Sequence, residues 1–174
     1  MMQESPVDQS LSLEPKYAAE LDLVQRRMES EGWKKIEMVE DLMETAENQI
    51  IAPLNHVFTP GLYVREAFLE RGSLYTSRIH LTEHPFIISS GIVSVWDDIS
   101  GWVTYRAPHT GITKPGTRRV LFIHEDTIWS TCHANPTNET DPDKIIMAIT
   151  FTGGKFSQLR GAAAVPVLSE KGTQ

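Results

Sequence analysis

Short runs of strand-forming residues, broken by glycine, proline, aspartate or threonine, fill the middle of this 174-residue chain. The candidate strands are 61–69, 73–80, 85–89, 91–96, 102–107, 118–124 and 127–133. Many short strands at nearly even spacing are typical of antiparallel sandwiches and barrels. We therefore predict a single antiparallel β domain over residues 51–137.

A helical arm is predicted before this β domain, over residues 14–50. Two helices are expected there, over 15–30 and 33–48, because apolar residues recur at helical spacing in both segments. The apolar stripes include Leu21, Val24, Trp33, Ile36 and Val39. Since such stripes need burial, we expect them to pack either on the β domain or on a second chain.

A short C-terminal helix is predicted over residues 138–152. Asp141 is a good capping residue, and Pro142 suits a first helical turn, where no backbone N–H is required. The polar start, 1–13, and the end rich in small residues, 153–174, are expected to be flexible, unless the end becomes ordered on a partner.

Composition excludes some function classes. The formal net charge of −7 argues against general nucleic-acid binding, because no basic surplus exists to replace the counterions of phosphates. No apolar run approaches the roughly 20 residues that span a bilayer, so no membrane partner is predicted. Cys132 is the only cysteine, which excludes an internal disulfide and fits a reducing compartment such as the cytoplasm.

The segment from Gly72 to Gly91 resembles the first cupin motif, in which a glycine is followed by His-x-His, a glutamate and a second glycine. Here "GSLYTSRIHLTEHPFIISSG" keeps the spacing, with Arg78 at the position of the first histidine, His80 at the second and His84 at the glutamate. The later segment "KPGTRRVLF" resembles a contracted second cupin motif, with Arg119 where the third histidine is expected. The resemblance covers roughly residues 56–135.

The cupin resemblance implies a mainly β fold: a double-stranded β-helix, or jelly-roll barrel, with an N-terminal α-helical arm and a short C-terminal helix. It also implies self-association, since cupins are commonly dimers. The stretch "RAPHTGITKPGTRRVLFIHEDTIWSTCHANPT" further resembles small cupin-like proteins encoded by tailed phages and prophages. That likeness suggests a location in the host cytoplasm or in a virion.

A ligand pocket is predicted inside the barrel. Side chains alternate along a strand, so Arg78 and His80 should share the inner face, and the cupin resemblance brings Arg119 to it from a facing strand. We also expect His84 and His133 to line this pocket, and His109 to lie on a loop at its mouth.

The favoured function is a non-redox binding module for a small anionic or polar ligand, without a metal. Arg78 and Arg119 replace two metal ligands with fixed positive charges, which repel cations and bind carboxylate or phosphate. Only two imidazoles, those of His80 and His84, are expected at the cupin ligand positions.

Two alternatives stay open. One is a metal-dependent cupin enzyme, such as a dioxygenase, isomerase or hydrolase, with Fe, Mn, Ni or Zn on His80, His84 and Glu83 or His109. The other is a non-catalytic structural or interaction protein, with a virion component as one form of it. The apolar stripes of the arm favour a homodimer or higher oligomer in every case.

Overall fold

A computed structural model describes residues 18–151 and 163–166. Three helices are present, and they are α1 (Ala18–Met28), α2 (Glu31–Glu44) and α3 (Pro142–Ile149). The strands are β1 (Ile50–Ile51), β2 (Leu54–Thr59), β3 (Gly61–Leu69), β4 (Ser73–Thr76), β5 (His84–Asp97), β6 (Gly101–Arg106), β7 (His109–Thr113), β8 (Val120–Asn135) and β9 (Ala163–Pro166). None of the described helices is long and apolar enough to cross a membrane.

The described strands form one nine-stranded antiparallel sheet centred on β8. This strand pairs with β3 over its second half, with β5 over most of its length and with β4 at its start. Strand β2 extends the sheet beyond β3, whereas β6 and β7 both pair with β5. Strands β9 and β1 continue it beyond β4. The predicted mainly β, antiparallel fold class is confirmed.

Two long strands are each divided in the sequence prediction, and this division is wrong. Strand β5 spans the predicted strands 85–89 and 91–96, and β8 likewise runs without a break through 125–126. The reason lies at Gly91, where φ is +89° and a Cβ atom would come within 2.3 Å of the Thr127 Oγ1 atom. Both strands bend together at this bulge in the pairing, so a glycine that resembles a turn signal marks a bend inside a strand.

Two further predictions of local structure need correction. His109 is the first residue of β7 and pairs with Ile88 of β5, so it does not lie on a loop. Residues 163–166, which the sequence analysis assigns to a flexible tail, form a strand between β1 and β4. The predicted flexible segment 1–13 and the other residues of 153–174 lie outside the described part of the chain.

The arm packs on the chain's own barrel. Val24 and Trp33 are fully buried and form a cluster with Ile79 and Leu81, which follow β4. Ile36 is also fully buried. Val39 is partly buried, and the side chain of Leu21 lies outside the described part. The described apolar residues of the arm therefore pack within their own chain, and they offer little exposed apolar surface to a second copy.

A buried ion pair joins α2 to the segment before β8. Arg118 is fully buried and donates through Nη2 to the Glu40 carboxylate at 2.6 Å, while its guanidinium lies 5.5 Å from the ring centre of Trp33. Burial raises the pKa of Glu40 in spite of the nearby Arg118 charge. The pair therefore fixes the arm in place without contributing a large net free energy.

Removing either partner of this pair should have unequal effects on stability. Glu40→Gln leaves a buried guanidinium that cannot lose its proton, so we expect a loss of about 3–5 kcal/mol in the free energy of unfolding. Arg118→Met should cost less, because Glu40 can become protonated. Urea denaturation measures both, and Lys34→Met, which removes an exposed ion pair with Glu31, serves as the control with little expected effect. Equal losses for Glu40→Gln and Lys34→Met would contradict the assignment.

Candidate functional site

Three histidines converge inside the barrel from three different elements. His84 is the first residue of β5, His133 lies near the end of β8, and His80 lies in the segment after β4. Their ring centres are 4.4 Å apart for His80 and His84, 4.2 Å for His84 and His133, and 5.8 Å for His80 and His133. One ring nitrogen from each lies within 4.8 Å of the others.

Helix α3 holds His80 in position through the backbone. His80 forms a β-bridge with Thr150, the residue after α3, and the neighbouring Leu81 N–H donates to the Ile149 carbonyl at 2.8 Å. On the other side of the segment, the Gly116 N–H donates to the His80 carbonyl at 2.7 Å. These backbone contacts hold His80 in position although it lies between two strands.

The protonation of His84 follows from its hydrogen bond. Its Nδ1 lies 3.0 Å from the Thr82 carbonyl oxygen, which can only accept, so Nδ1 carries the proton. The Nε2 atom then has a free lone pair, and it is buried without a hydrogen-bond partner. An imidazole oriented by a backbone carbonyl through one nitrogen is the arrangement commonly found in metal-ligating histidines.

The protonation of His133 follows in the same way. The Thr131 hydroxyl donates to the Arg65 carbonyl at 3.4 Å, so its oxygen accepts from His133 Nε2, which lies 3.0 Å away. The lone pair then lies on Nδ1, which is also buried without a partner, as is Nδ1 of His80. Each unsatisfied buried nitrogen costs about 1–3 kcal/mol, so this concentration of them is characteristic of a binding site.

All three histidines are held neutral. Burial is the largest cause of the lowered pKa of each, and it brings His133 to about 3 and His80 well below the usual range. The neighbouring rings and the positive charges of Arg65 and Arg119 lower the pKa of His80 further. Neutral imidazole is the form that binds a metal ion.

Three arginines line the same cavity as the histidines. Arg65 comes from β3, Arg78 from the segment before His80, and Arg119 from the segment before β8. Arg119 donates through Nη1 to Thr113 Oγ1 at 2.9 Å, and its guanidinium lies 5.2 Å from the ring centre of Phe86. These contacts orient the guanidinium while it stays charged.

The cavity has a volume of about 90 Å³. Since one water needs roughly 10–15 Å³ of such volume, the space fits several waters or a small organic ion. Its apolar wall includes Leu69, Tyr75, Leu121 and Trp129. None of its described lining residues is acidic, and the carboxylates that act on its arginines, Asp143 on Arg78 and Asp97 on Arg119, lie outside the lining.

Five of the seven predicted site residues come together here. The cavity is lined by Arg78, His80, His84, Arg119 and His133. Glu83 instead lies on the surface, where its carboxylate accepts from Lys114 at 2.6 Å. His109 packs on Tyr105, with ring centres 4.4 Å apart, and does not line the cavity. His80 and His84 stand at the cupin ligand positions, and His133, which was also predicted to line the pocket, adds a third imidazole from β8.

Arg65 is the functional residue that the sequence analysis missed. The strand 61–69 is predicted with its observed bounds, and alternation along it places residues 63, 65, 67 and 69 on one face. An arginine between the buried residues Tyr63 and Ala67 is the signal that could have identified it. Thr113, which orients Arg119, gives no comparable signal.

Comparisons with known proteins give matches to solved structures alone. No family model and no curated protein matches the chain. A transcriptional regulator of the HTH_3 family from Vibrio cholerae has a TM-score of 0.41 and 16% identity, and the match covers 49% of this chain and 51% of that one. A cupin-2 domain protein from Shewanella frigidimarina has a TM-score of 0.40 and 11% identity over 56% of this chain and 92% of that chain.

A third match is an RmlC-like cupin family protein with a double-stranded β-helix fold from Methanocaldococcus jannaschii. Its TM-score is 0.40, with 11% identity over 53% of this chain and 86% of that one. The Shewanella and Methanocaldococcus structures are both described as cupins. The resemblance to phage-encoded proteins stays a prediction.

Acidification should destabilise the protein through the buried histidines. The pKa of His133 is about 3 in the folded chain and near 6.5 when exposed, so the unfolded chain binds more protons between these values. The free energy of unfolding should fall steadily as the pH drops from about 6.5 to about 4.5. Urea denaturation in the presence of a chelator measures this, and His133→Asn should make the slope shallower. A stability independent of pH in this range would contradict the assignment.

Proposed function

We propose that the barrel holds a divalent transition metal on His80, His84 and His133, and that it is a metal-dependent enzyme for a small anionic substrate. The observation that carries this proposal is the set of three buried ring nitrogens without hydrogen-bond partners. For two of them, His84 Nε2 and His133 Nδ1, the hydrogen bond made by the other ring nitrogen places the lone pair on the unpaired atom. A cation binds lone pairs that no hydrogen-bond donor reaches.

The donor set fits such an ion. Imidazole suits Fe, Ni, Cu and Zn, and three protein ligands with an open position are typical of catalytic centres, whereas structural zinc sites are closed by four. The nitrogens lie within 4.8 Å of one another, so small ring movements bring all three to the roughly 2.1 Å that a bound ion requires. The adjoining cavity leaves room for a substrate beside the ion.

The arginines define the charge of the substrate. A divalent ion adds to the positive charges of Arg65 and Arg119, and none of the described lining residues is a carboxylate, so charge balance inside the cavity calls for an anion. An anion bound between the ion and the guanidinium groups provides that balance, often through two parallel hydrogen bonds to one guanidinium. Metal and anion should therefore strengthen each other's binding.

Each part of the site then has a separate task. Arg119, held by Thr113, orients the anionic group of the substrate, and the apolar wall of Leu121 and Trp129 limits access of water. The bound metal supplies a Lewis acid that polarises a substrate oxygen or activates a water. The carbonyl of Thr82 keeps the lone pair of His84 directed away from its own backbone.

A metal-free binding module for a small anionic ligand is the second candidate. It is favoured by the same lack of acidic lining residues, because most metal centres of this donor type include or adjoin a carboxylate. In that case the lone pairs of the histidines accept hydrogen bonds from the ligand or from waters. The two candidates differ in metal content, which makes them separable.

Metal analysis of the purified chain distinguishes them. We expect about one Fe, Ni, Co or Zn ion per chain after reconstitution, with the affinity lowered at least roughly a hundredfold in His84→Ala and in His133→Ala. Elemental analysis and the absorption spectrum of the Co(II) form measure this. His124→Ala, an exposed histidine outside the cavity, should bind as the unmodified chain does. Absence of stoichiometric metal would favour the metal-free module, and retention of metal in His133→Ala would exclude His133 as a ligand.

Anion binding provides an independent measurement. With oxalate as the probe, Arg119→Met should weaken binding by about 1.5–3 kcal/mol, the scale of a hydrogen bond to a charged group. Arg106→Met, an exposed arginine on β6, is the matched control. Titration calorimetry measures both, with and without metal. Equal oxalate affinity in Arg119→Met and the unmodified chain would exclude Arg119 as an anion ligand.

A further inference from the structure

Two neighbouring rows of inward side chains contain most of the site. Across β3, β8, β5 and β7, one row consists of Tyr63, His133, His84 and Thr113, and the next consists of Arg65, Thr131, Phe86 and Gly111. The two histidines of these rows lie on the middle strands, β8 and β5. Strands β3 and β7 therefore flank them on opposite sides.

Arg65 enters the cavity on the β3 side of the histidines. It pairs with Thr131, which lies two residues from His133 on β8. Its charge contributes, after burial and the ring of His84, to the lowered pKa of His133. Burial also lowers the pKa of Arg65 itself, and the charge of Arg78 lowers it further. An anion beside Arg65 would offset both effects, because it favours the charged guanidinium.

Arg119 places its guanidinium on the β7 side of the histidines. Its Nη1 donates to Thr113 Oγ1 at 2.9 Å, and the group lies 5.2 Å from the ring centre of Phe86. Thr113 pairs with His84, and after burial the charge of Arg119 lowers the pKa of this histidine. A guanidinium has five N–H donors, so the contact with Thr113 leaves donors for an anion.

The positions of the two arginines indicate an anion with two charged ends. Strands β3 and β7 are three strand spacings apart, or about 14 Å along the sheet, and both side chains extend from these flanks into the cavity. One carboxylate commonly forms two parallel hydrogen bonds to one guanidinium, so it satisfies one arginine. Two arginines on opposite flanks therefore fit two carboxylates that a spacer joins.

The cavity limits the length of that spacer. Its volume of about 90 Å³ allows only a few carbon atoms between the carboxylates. A phosphate ester in place of one carboxylate would need more of this limited space. The apolar wall, which includes Leu121 and Trp129, suits a hydrocarbon spacer.

We propose that the substrate is a small dicarboxylate, with one carboxylate on Arg65, the other on Arg119 and the metal-binding histidines between them. This inference rests on the proposed function, since it names the substrate class of the same site. Arg65 and Arg119 are then the residues that determine specificity, because each recognises one charged end. Two negative charges also match the two guanidinium groups, and either carboxylate has an oxygen for the bound ion.

A dicarboxylate and its monoamide test the proposal on the unmodified chain. Succinate and succinamate have the same number of non-hydrogen atoms, but succinamate carries one negative charge. Calorimetric titration of the Zn(II)-loaded chain should show that succinate binds roughly ten to a hundred times more tightly, the scale of one hydrogen bond to a charged group. Malonate and glutarate, each with its monoamide, cover a shorter and a longer spacer.

Variants of the two arginines assign the ends. Arg65→Met and Arg119→Met should each weaken succinate binding roughly ten- to a hundredfold. Succinamate can turn round and keep its carboxylate on the remaining arginine, so its affinity should change little in either variant. Arg106→Met, an exposed arginine on β6, is the matched control and should keep the full preference for succinate. Circular dichroism verifies that all three variants fold.

Three results would overturn the proposal. One is that no dicarboxylate from malonate to glutarate binds, and another is that each binds no more tightly than its monoamide. The third is a preference for succinate that survives in Arg65→Met or in Arg119→Met. Titrations of the chelator-treated chain separate this proposal from the proposed function. A chain that binds no stoichiometric metal but prefers succinate would refute the metal-dependent enzyme and support the dicarboxylate, whereas a metal-loaded chain without the preference would refute the dicarboxylate alone.

Discussion

The antiparallel pairing of β5 with β8 is the interaction on which the rest of the structure depends. These two strands are the longest in the described chain, and every described strand except β1, β2 and β9 pairs with one of them. Both strands bend at Gly91, so each strand contributes to both halves of the barrel. His84 and His133 lie on the paired strands, so the geometry of the site is fixed by backbone hydrogen bonds of the fold itself.

The site combines arginines, which repel a cation, with neutral histidines, whose lone pairs attract one. Placing neutral imidazoles beside guanidinium groups is electrostatically unfavourable for a metal on its own, and burial increases this effect because the local dielectric constant is low. A bound anion makes metal binding favourable, since the anion is attracted both by the metal and by the guanidinium groups. In the proposed site, selectivity therefore rests on the pair of ions rather than on either alone.

Sequence patterns predicted the fold class, the helices and most inner residues, because alternation and helical periodicity depend on local chemistry. The bent strands were divided because a glycine at a bulge and a glycine at a turn have the same local sequence. His133 was recognised as an inner residue but not as the third imidazole, since its partners are 49 and 53 residues away in the chain. Glu83 was misplaced because it lies in the connection just before β5, where strand alternation does not set the direction of a side chain, and His109 was misplaced because β7 was not predicted as a strand.

Arg118 and Arg119 are consecutive, and their side chains lie on opposite sides of one extended segment. The first anchors the helical arm through Glu40, and the second reaches into the cavity. The backbone between them is paired with Ser77, so neither side chain can shift far without the other. The arm and the cavity are thus joined through one peptide unit, and a displacement of the N-terminal helices would act directly on Arg119, which we propose to orient the anion.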